Sequence, residues 1–438
     1  MSTLAPVAPL DFPSAPVRID DVPRPTKPAR RLWRTLLNRP RPARRFAPRL
    51  TFDPTLAGLD PAVAAHWGEL LLIEDVASIH HRDGTVTWLR HIVAWLFGAE
   101  NLADWDEIVR TYDSRKEVHR VLTAQLYPVE GKPRMIKPTV QQFAYAGARG
   151  SRAGRSLQFN FHPLRPGVVV EFEEQYDEFV ADRAGPLLVN QFFLQTRAPC
   201  LRRRYTAAVA APYELHYRVH HSDVQPALRR DKEYSIAAWE LSDAEGTEYD
   251  NWNPPPRDFL PWIDVSTAAE WGRFARQLRQ ELVRPAGSKP TGETERLAQE
   301  LTADKPTPLA QARSAYAYAA RSVRYGRPPA EHQARNTRAA SQVFEDLRGD
   351  CKDKSSLLVQ LLRQMGMQAE IAVLLTADEG RTPFLPSARF NHAIVRATVE
   401  GVVHWLDPAS GLFTFGQLPE GDTGVAAMIL DGAPSIAR

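Results

Sequence analysis

Cysteine is scarce in this chain: only Cys200 and Cys351 occur among 438 residues. Two cysteines this far apart exclude a disulfide framework, and no paired Cys or Cys/His spacing of the zinc-binding kind is present. No apolar run reaches the roughly 20 residues needed to cross a bilayer, and the first residues lack the basic and apolar regions of a secretory signal. These absences predict a soluble cytoplasmic protein with no metal or organic cofactor, with the periplasm as the alternative compartment.

Positive charge is concentrated near the start of the chain. The formal net charge is +3, yet residues 23–49 contain ten Lys or Arg and no acid, so the remainder is net negative. A basic, proline-rich composition resists packing, so we predict a disordered, solvated tail over residues 1–52. Contact of this tail with nucleic acid or an anionic membrane, using residues 32–37 as a short amphipathic helix, is the less favoured interpretation.

The rest of the chain has the composition of a globular protein, with 43% hydrophobic and 24% charged residues, and its length favours more than one domain. A helical pattern over residues 54–77 is followed by short β-forming segments separated by turns. We therefore predict a β-rich N-terminal domain over residues 53–255, with a leading helix and antiparallel, sandwich-like sheets. Residues 256–438 combine helices with three later strands, so the overall class is predicted to be α+β.

Cys351 is the most informative residue in the chain. It follows Gly349 and Asp350 and stands before an apolar helical pattern that ends near Gly366. The first turn of a helix presents unpaired N–H groups and partial positive charge, which favour a thiolate over a thiol. A buried core cysteine is the alternative, but four flanking charges within residues 350–354 argue against it. Cys200 has no charged neighbour and no helix-start signal, and it reads as structural.

Two groups that a nucleophilic thiolate needs lie downstream. His392 and Asp407 occupy two strands joined by a Glu400-Gly401 turn, and counting from the turn places both near the same end of the hairpin. Taken singly, a strand histidine and an Asp-Pro turn former are the simpler interpretations. The order Cys, His, Asp predicts a nucleophile, a base and an acceptor that orients the base.

These motifs resemble the transglutaminase-like superfamily, which has a papain-like core. The resemblance covers about residues 312–407 and depends on Val-Arg-Tyr ending at Tyr325, Gly-Asp-Cys at 349–351, Asn-His-Ala at 391–393 and Trp-Leu-Asp-Pro at 405–408. The longer Gly-Asp-Cys-Lys-Asp-Lys stretch looks like that of a bacterial subgroup in which a β-rich domain of unknown function precedes the core.

The resemblance implies that Cys351 is the nucleophile, His392 the base and Asp407 the orienting residue. It also implies an aromatic oxyanion donor upstream, for which Tyr325 is the candidate, with simple packing as the alternative role. Asp353 is expected to help cap the helix.

The predicted activity is cysteine-dependent acyl transfer or hydrolysis at peptide or glutamine carboxamide bonds, with a protein or peptide as substrate. The sequence does not choose between a peptidase and a crosslinking transglutaminase. Two other classes stay open: a catalytically silent scaffold that binds a protein or peptide, and a nucleic-acid binder that acts through the basic tail.

Overall fold

The computed structural model describes residues 41, 43–52, 60–114, 117–143, 154–178, 189–250, 252–268, 270–272, 275, 278–279, 292–326, 337–387, 389–430 and 436–437. The predicted disorder of residues 1–40 and the amphipathic segment at 32–37 lie outside these residues.

The N-terminal region is built mainly of strands. A 3₁₀ turn (Ala43–Arg45) comes first, and two short helices, α1 (Pro61–Trp67) and α2 (Ala99–Asp106), accompany the strands. The strands are β1 (Glu69–His80), β2 (Val86–Leu96), β3 (Glu107–Asp113), β4 (Glu117–Tyr127), β5 (Arg134–Met135), β6 (Thr139–Phe143), β7 (Gly154–Asn160), β8 (Val168–Glu178), β9 (Val189–Phe193), β10 (Cys200–Ala210), β11 (His216–His220), β12 (Ala227–Arg230), β13 (Tyr234–Ala244) and β14 (Trp262–Ser266).

Eight of these strands form one large sheet in the order β12-β13-β10-β1-β2-β8-β4-β5. Two three-stranded sheets, β11-β14-β9 and β3-β7-β6, pack against it through the apolar clusters around Trp239 and Phe172. The predicted α+β class with a sandwich-like β-rich region is confirmed. One detail differs from a purely antiparallel sheet, because β1 pairs with β10 in parallel.

The predicted leading helix is shorter than the pattern over residues 54–77 suggests. It ends at Trp67, and Gly68 adopts a left-handed conformation with φ 77° as the C-cap. The apolar run that follows, Leu70 to Ile73, is buried in strand β1. A short continuous apolar run fits a buried strand as well as a helix, so periodicity alone extended the helix too far.

The predicted tail is wrong for residues 43–52, which pack on the large sheet. Ala43, Phe46 and Leu50 are buried, and Arg44 reaches Asp75 at 2.8 Å and Glu173 at 2.5 Å. Acidic partners on distant strands neutralise this basic segment, and no local pattern in the sequence reveals them.

The C-terminal region combines helices with a five-stranded sheet. Its helices are α3 (Gly292–Thr302), α4 (Pro308–Ala317), continued by a π turn (Tyr318–Ser322), α5 (Ala340–Asp346) and α6 (Cys351–Gln364). Its strands are β15 (Arg324–Tyr325), β16 (Arg348–Gly349), β17 (Gln368–Leu374), β18 (His392–Val399), β19 (Val402–Leu406), β20 (Ala427–Ile429) and β21 (Ile436–Ala437). The five-stranded sheet has the order β19-β18-β17-β20-β21, and β15 pairs with β16 separately.

Helix α6 lies at the centre of this region. Leu357, Leu358, Leu361 and Leu362 have no exposed surface, and the helix packs against β17 and β18. Their spacing forms the apolar stripe expected of a helix that faces a sheet. Because α6 begins at Cys351 and β18 begins at His392, this packing sets the relative position of these two residues.

Backbone and side-chain hydrogen bonds join β14 and the turn before it to residues 381–386, which precede β18. Ser266 Oγ donates to the carbonyl of Pro386 at 2.8 Å. The Asp258 carboxylate accepts from the backbone N–H groups of Arg381 and Thr382 at 2.7 Å each. Among the described residues, no helix combines the length and apolar character required to traverse a membrane.

Candidate active site

Cys351 stands at the first position of α6, and the chain is held in place just before it. The Asp350 carboxylate accepts a hydrogen bond from the Asp353 backbone N–H at 3.2 Å, so Asp350 is the N-cap. A Cβ on Gly349 would approach the Asp353 Cβ to 2.8 Å, so only glycine fits there without displacement. Cys351 is partly exposed. This placement puts an accessible thiol at the positive end of a buried helix.

Asp353 does not cap the helix, in contrast to the sequence prediction. Its carboxylate accepts from the backbone N–H of Arg338 at 2.9 Å and from Arg338 Nε at 3.0 Å. The Arg338 guanidinium also donates to the Arg348 carbonyl and to the Asp346 carboxylate. Asp353 has no exposed surface, and Arg338 is 6% exposed. This buried ion pair ties the segment before Cys351 to the helix that carries it.

His392 is the first residue of β18, and its ring lies between a thiol and carboxylates. Nε2 is 3.3 Å from Asp407 Oδ1, and the Cys351 side chain is near enough to the ring to raise its pKa. The structure therefore brings together the three residues that the sequence predicts.

The electrostatic surroundings of His392 favour its protonated form. Burial alone would lower its pKa, but the hydrogen bonds to Asp407 and Cys351 and the charges of Asp407 and Asp422 raise the pKa to about 10. Negative charge within a few ångströms of an imidazolium stabilises it. A ring in this state can form an ion pair with a thiolate.

Asp407 follows the last residue of β19 and is held by its own local contacts. Its Oδ1 accepts from the Ala409 backbone N–H at 2.8 Å, and its backbone carbonyl accepts from Tyr316 Oη at 3.1 Å. Lys354, buried one turn into α6, donates to the Ala320 carbonyl at 3.1 Å. Burial lowers the pKa of Lys354 to about 8, against the opposing charge of Asp407. The carboxylate thus has a fixed orientation towards the ring.

Sequence reasoning missed a second carboxylate beside the same ring. Asp422 Oδ2 lies 3.7 Å from His392 Nε2, and the Asp422 side chain is 3% exposed. Asp422 ends a 3₁₀ turn, Glu420–Asp422, in the segment after β19. A Pro-Glu-Gly-Asp sequence suggests only an ordinary turn, so no local signal marks it as part of a site.

Tyr325 lies on β15, and β15 pairs with β16 so that Tyr325 stands opposite Gly349. Gly349 lies two residues before Cys351 in the chain, so the Tyr325 backbone is close to the start of α6. Its side chain is 61% exposed. The oxyanion role of Tyr325 stays a prediction.

The donor atoms of His392, Asp407 and Asp422 lie within 4.8 Å of one another, a spacing that a divalent cation could span. A cation there would compete with the proton on Nε2.

Comparison with protein families identifies two domains in the chain. Residues 295–407 match the transglutaminase-like superfamily, and residues 82–247 match DUF3857, a domain of unknown function with a solved structure. The chain therefore carries a transglutaminase-like domain preceded by a DUF3857 domain. This result confirms the resemblance predicted from the sequence motifs. The superfamily supports a peptidase-like or transglutaminase-like function acting on a peptide or protein.

Solved structures show a similar fold. A "putative protease" from Parabacteroides distasonis ATCC 8503 has a TM-score of 0.66 and 15% identity, covering 84% of this chain and 71% of that chain. A "putative cysteine protease" from Cytophaga hutchinsonii has a TM-score of 0.25 and 12% identity, covering 76% and 90% of the two chains. The periplasmic domain of TgpA from Pseudomonas aeruginosa has a TM-score of 0.21 and 12% identity, covering 66% and 87%. At 15% identity the first similarity establishes a shared fold, and the TM-scores of the other two are too low to extend it. No curated protein matches the chain.

Proposed function

We propose that this protein is a cysteine-dependent hydrolase or acyltransferase in which Cys351, His392 and Asp407 act as a catalytic triad on a peptide or glutamine carboxamide. The observation that carries the proposal is the position of the His392 ring: its Nε2 is 3.3 Å from Asp407 Oδ1, and its strand packs on the helix that begins at Cys351, whose side chain raises the pKa of the ring. The proposed base thus lies between the proposed nucleophile and the acceptor that orients it, which is the order of contacts that thiol catalysis requires.

The proposed reaction has two steps. The Cys351 thiolate attacks the carbonyl carbon, and the tetrahedral oxyanion is stabilised by the Cys351 backbone N–H and, in this proposal, by Tyr325 as the second donor. The C–N bond then breaks, the His392 imidazolium gives its proton to the departing amine, and a thioester remains. In the second step His392 takes a proton from water or an acceptor amine as it attacks the thioester, and the C–S bond breaks to restore the thiolate and the imidazolium.

Asp407 serves both steps by holding the ring. Its carboxylate fixes the orientation of His392 and stabilises the positive charge that the ring carries between steps. The hydrogen bond that the carboxylate accepts from the Ala409 backbone N–H reduces the reorganisation needed as the proton moves.

Alkylation with iodoacetamide at pH 6, followed by peptide mapping, tests the thiol. An activated Cys351 reacts at this pH, whereas an ordinary thiol with a pKa of about 8.5 does so slowly. Cys200 is an internal control, because it is 1% exposed and burial raises its pKa to about 11. His392→Ala should abolish the reactivity of Cys351 at pH 6. Equal, slow alkylation of both cysteines would leave only a silent, peptide-binding scaffold.

The acceptor is tested with a glutamine-containing peptide and a fluorescent primary amine. Amine incorporation identifies a transglutaminase, ammonia release without incorporation identifies a deamidase, and backbone cleavage identifies a peptidase. We favour peptide hydrolysis. Each activity should vanish in Cys351→Ala and survive EDTA, because the proposed reaction uses no metal.

We also propose a cytoplasmic location. Fractionation of cells that express the full chain tests it, and recovery in the periplasmic fraction would overturn it.

A further inference from the structure

The Asp422 side chain has an unusual position among the described residues. It is 3% exposed, and its Oδ2 has no hydrogen-bond partner although it lies 3.7 Å from His392 Nε2. A buried carboxylate oxygen without a partner is costly and calls for a compensating interaction. The positive charge of a protonated His392 ring, 3.7 Å away, can supply this interaction.

The turn that carries Asp422 is stabilised by its own hydrogen bonds and lies beside a residue that contacts the neighbour of His392. The Asp422 backbone N–H donates to the Pro419 carbonyl at 3.0 Å, and Thr423 Oγ1 donates to the Glu420 carbonyl at 2.8 Å. The turn also packs beside Thr376, whose hydroxyl accepts from the Asn391 side chain at 2.7 Å. Asn391 is the neighbour of His392. These contacts place the Asp422 turn close to the start of the strand that carries His392.

We propose that Asp422 is a positioning residue for His392, acting as a second carboxylate that, with Asp407, clamps Nε2 and keeps the ring protonated. The inference rests on the proposed triad and describes how its base is controlled. Asp407 makes the shorter contact, and its Oδ1 is shared with the Ala409 N–H. Asp422 supplies charge from a second direction.

The charged groups around this clamp define its pH dependence. Asp407, Asp422 and Cys351 act on His392, and Asp378 and Asp407 add negative charge beside Asp422. Burial raises the pKa of Asp422 to about 6, while the charge of His392 opposes the rise. Asp422 is therefore ionised near pH 10, where His392 releases its proton, and largely protonated below pH 6. Its influence should appear at the alkaline end of a titration and fade at the acidic end.

The test is a titration of His392 by NMR in protein carrying ¹³C-labelled histidine rings, with His392→Gln used to assign the signal. Wild type should release the ring proton near pH 10. Asp422→Asn should lower this midpoint by about one pH unit, a tenfold loss of proton affinity, because one of two adjacent negative charges is gone. Asp422→Glu should restore part of the shift, and Asp407→Asn should lower the midpoint at least as far.

A purely structural role for Asp422 would change thermal stability without moving this midpoint, so each variant is also checked by thermal unfolding. An unchanged midpoint in a folded Asp422→Asn protein would overturn the inference. The same titration in a Cys351→Ala background separates the effect of Asp422 on His392 from the proposed triad. Asp422→Asn should still lower the His392 midpoint there, because this effect does not depend on a reactive thiol. Slow alkylation of wild-type Cys351 at pH 6 would instead overturn the triad itself.

Discussion

The Ser355 hydroxyl donates a hydrogen bond to the backbone carbonyl of Ala393 at 2.9 Å, and Ser355 has no exposed surface. Ser355 stands one turn after Cys351, and Ala393 follows His392. This single bond therefore joins the helix of the proposed nucleophile to the strand of the proposed base, next to the site itself.

Replacing Ser355 with Ala should destabilise the protein by about 1–3 kcal/mol, because the buried Ala393 carbonyl would lose its partner. Cys351 should also alkylate more slowly at pH 6, since one of the contacts that position α6 against β18 would be lost. Denaturant unfolding and the alkylation rate measure the two effects. Ser242→Ala, at an exposed strand position, is the control. It should change the free energy of unfolding by less than about 0.5 kcal/mol and leave the alkylation rate of Cys351 unchanged. Identical behaviour of the two variants would contradict the role of the bond.

The ion pair between Arg338 and Asp353 should be critical for stability. Arg338→Met would leave the Asp353 carboxylate buried and without its cation, at a cost of about 3–5 kcal/mol. The partly exposed pair between Arg396 and Glu370, at 3.0 Å, provides the matched control. Glu370→Gln should cost less than about 1 kcal/mol. Comparable losses for both variants in denaturant unfolding would refute the distinction.

Arg44 and Arg45 are adjacent in sequence but differ in what they contact. Arg44 pairs with Asp75 and Glu173, whose side chains are 0% and 5% exposed, whereas Arg45 pairs with the more exposed Asp231. Arg44→Ala should destabilise the large sheet by about 1–3 kcal/mol, because the buried carboxylates of Asp75 and Glu173 would both lose the Arg44 guanidinium as an ion-pair partner. Arg45→Ala should cost less than about 1 kcal/mol. Hydrogen exchange of the β1 and β8 amides would locate the effect, and equal protection in the two variants would argue against it.

Two acids that bond to residues 381–385 should affect stability in opposite directions. Burial raises the pKa of Asp264 to about 7, against the hydrogen bond from the Leu385 N–H. Burial also acts to raise the pKa of Asp258, but hydrogen bonds from Arg381 and Thr382 lower it overall. An acid whose pKa is raised in the folded state destabilises the protein once it ionises. An acid whose pKa is lowered in the folded state stabilises the protein while it is ionised.

As pH rises from about 4 through 7, Asp264→Asn should therefore become progressively more stable relative to wild type, and the difference should level off above pH 7. Asp258→Asn should be less stable than wild type at neutral pH, and its deficit should disappear only as pH falls below about 4. Denaturant unfolding at pH 4, 6 and 8 tests Asp264→Asn, and a further measurement below pH 4 tests whether the deficit of Asp258→Asn disappears. A pH-independent difference for Asp264→Asn would show that its charge plays no part.

Local sequence patterns predict the hairpin well, because the Glu400-Gly401 turn sets its register. Residue counting then places His392 and Asp407 at the same end, as the structure does. The helix start at Cys351 follows similarly from Asp350 and the apolar spacing after it. Such features depend on a few neighbouring residues, so they can be recognised without a structure.

Other parts of the molecule depend on partners far along the chain. Asp422 reaches His392 across 30 residues, and Arg44 reaches Glu173 across 129. Asp353 looks like an ordinary first-turn carboxylate until the position of Arg338 is known. Charge alone does not identify which residues pair in these three cases, since many acids and bases are available along the chain. Tertiary packing makes the choice, and a single sequence does not record it.

The hydrogen bonds from Asp258 and Ser266 to residues 381–386 have a practical consequence for dissecting this protein. The transglutaminase-like match begins at residue 295, but the segment before the His392 strand is hydrogen-bonded to Asp258 and Ser266, which lie upstream of that boundary. Cutting the chain at the boundary would therefore remove contacts that position the His392 strand. A fragment starting at Gly292 would lack those contacts. Loss of activity in such a truncation would then report a misplaced histidine strand, and would say nothing about whether the DUF3857 region recognises substrate.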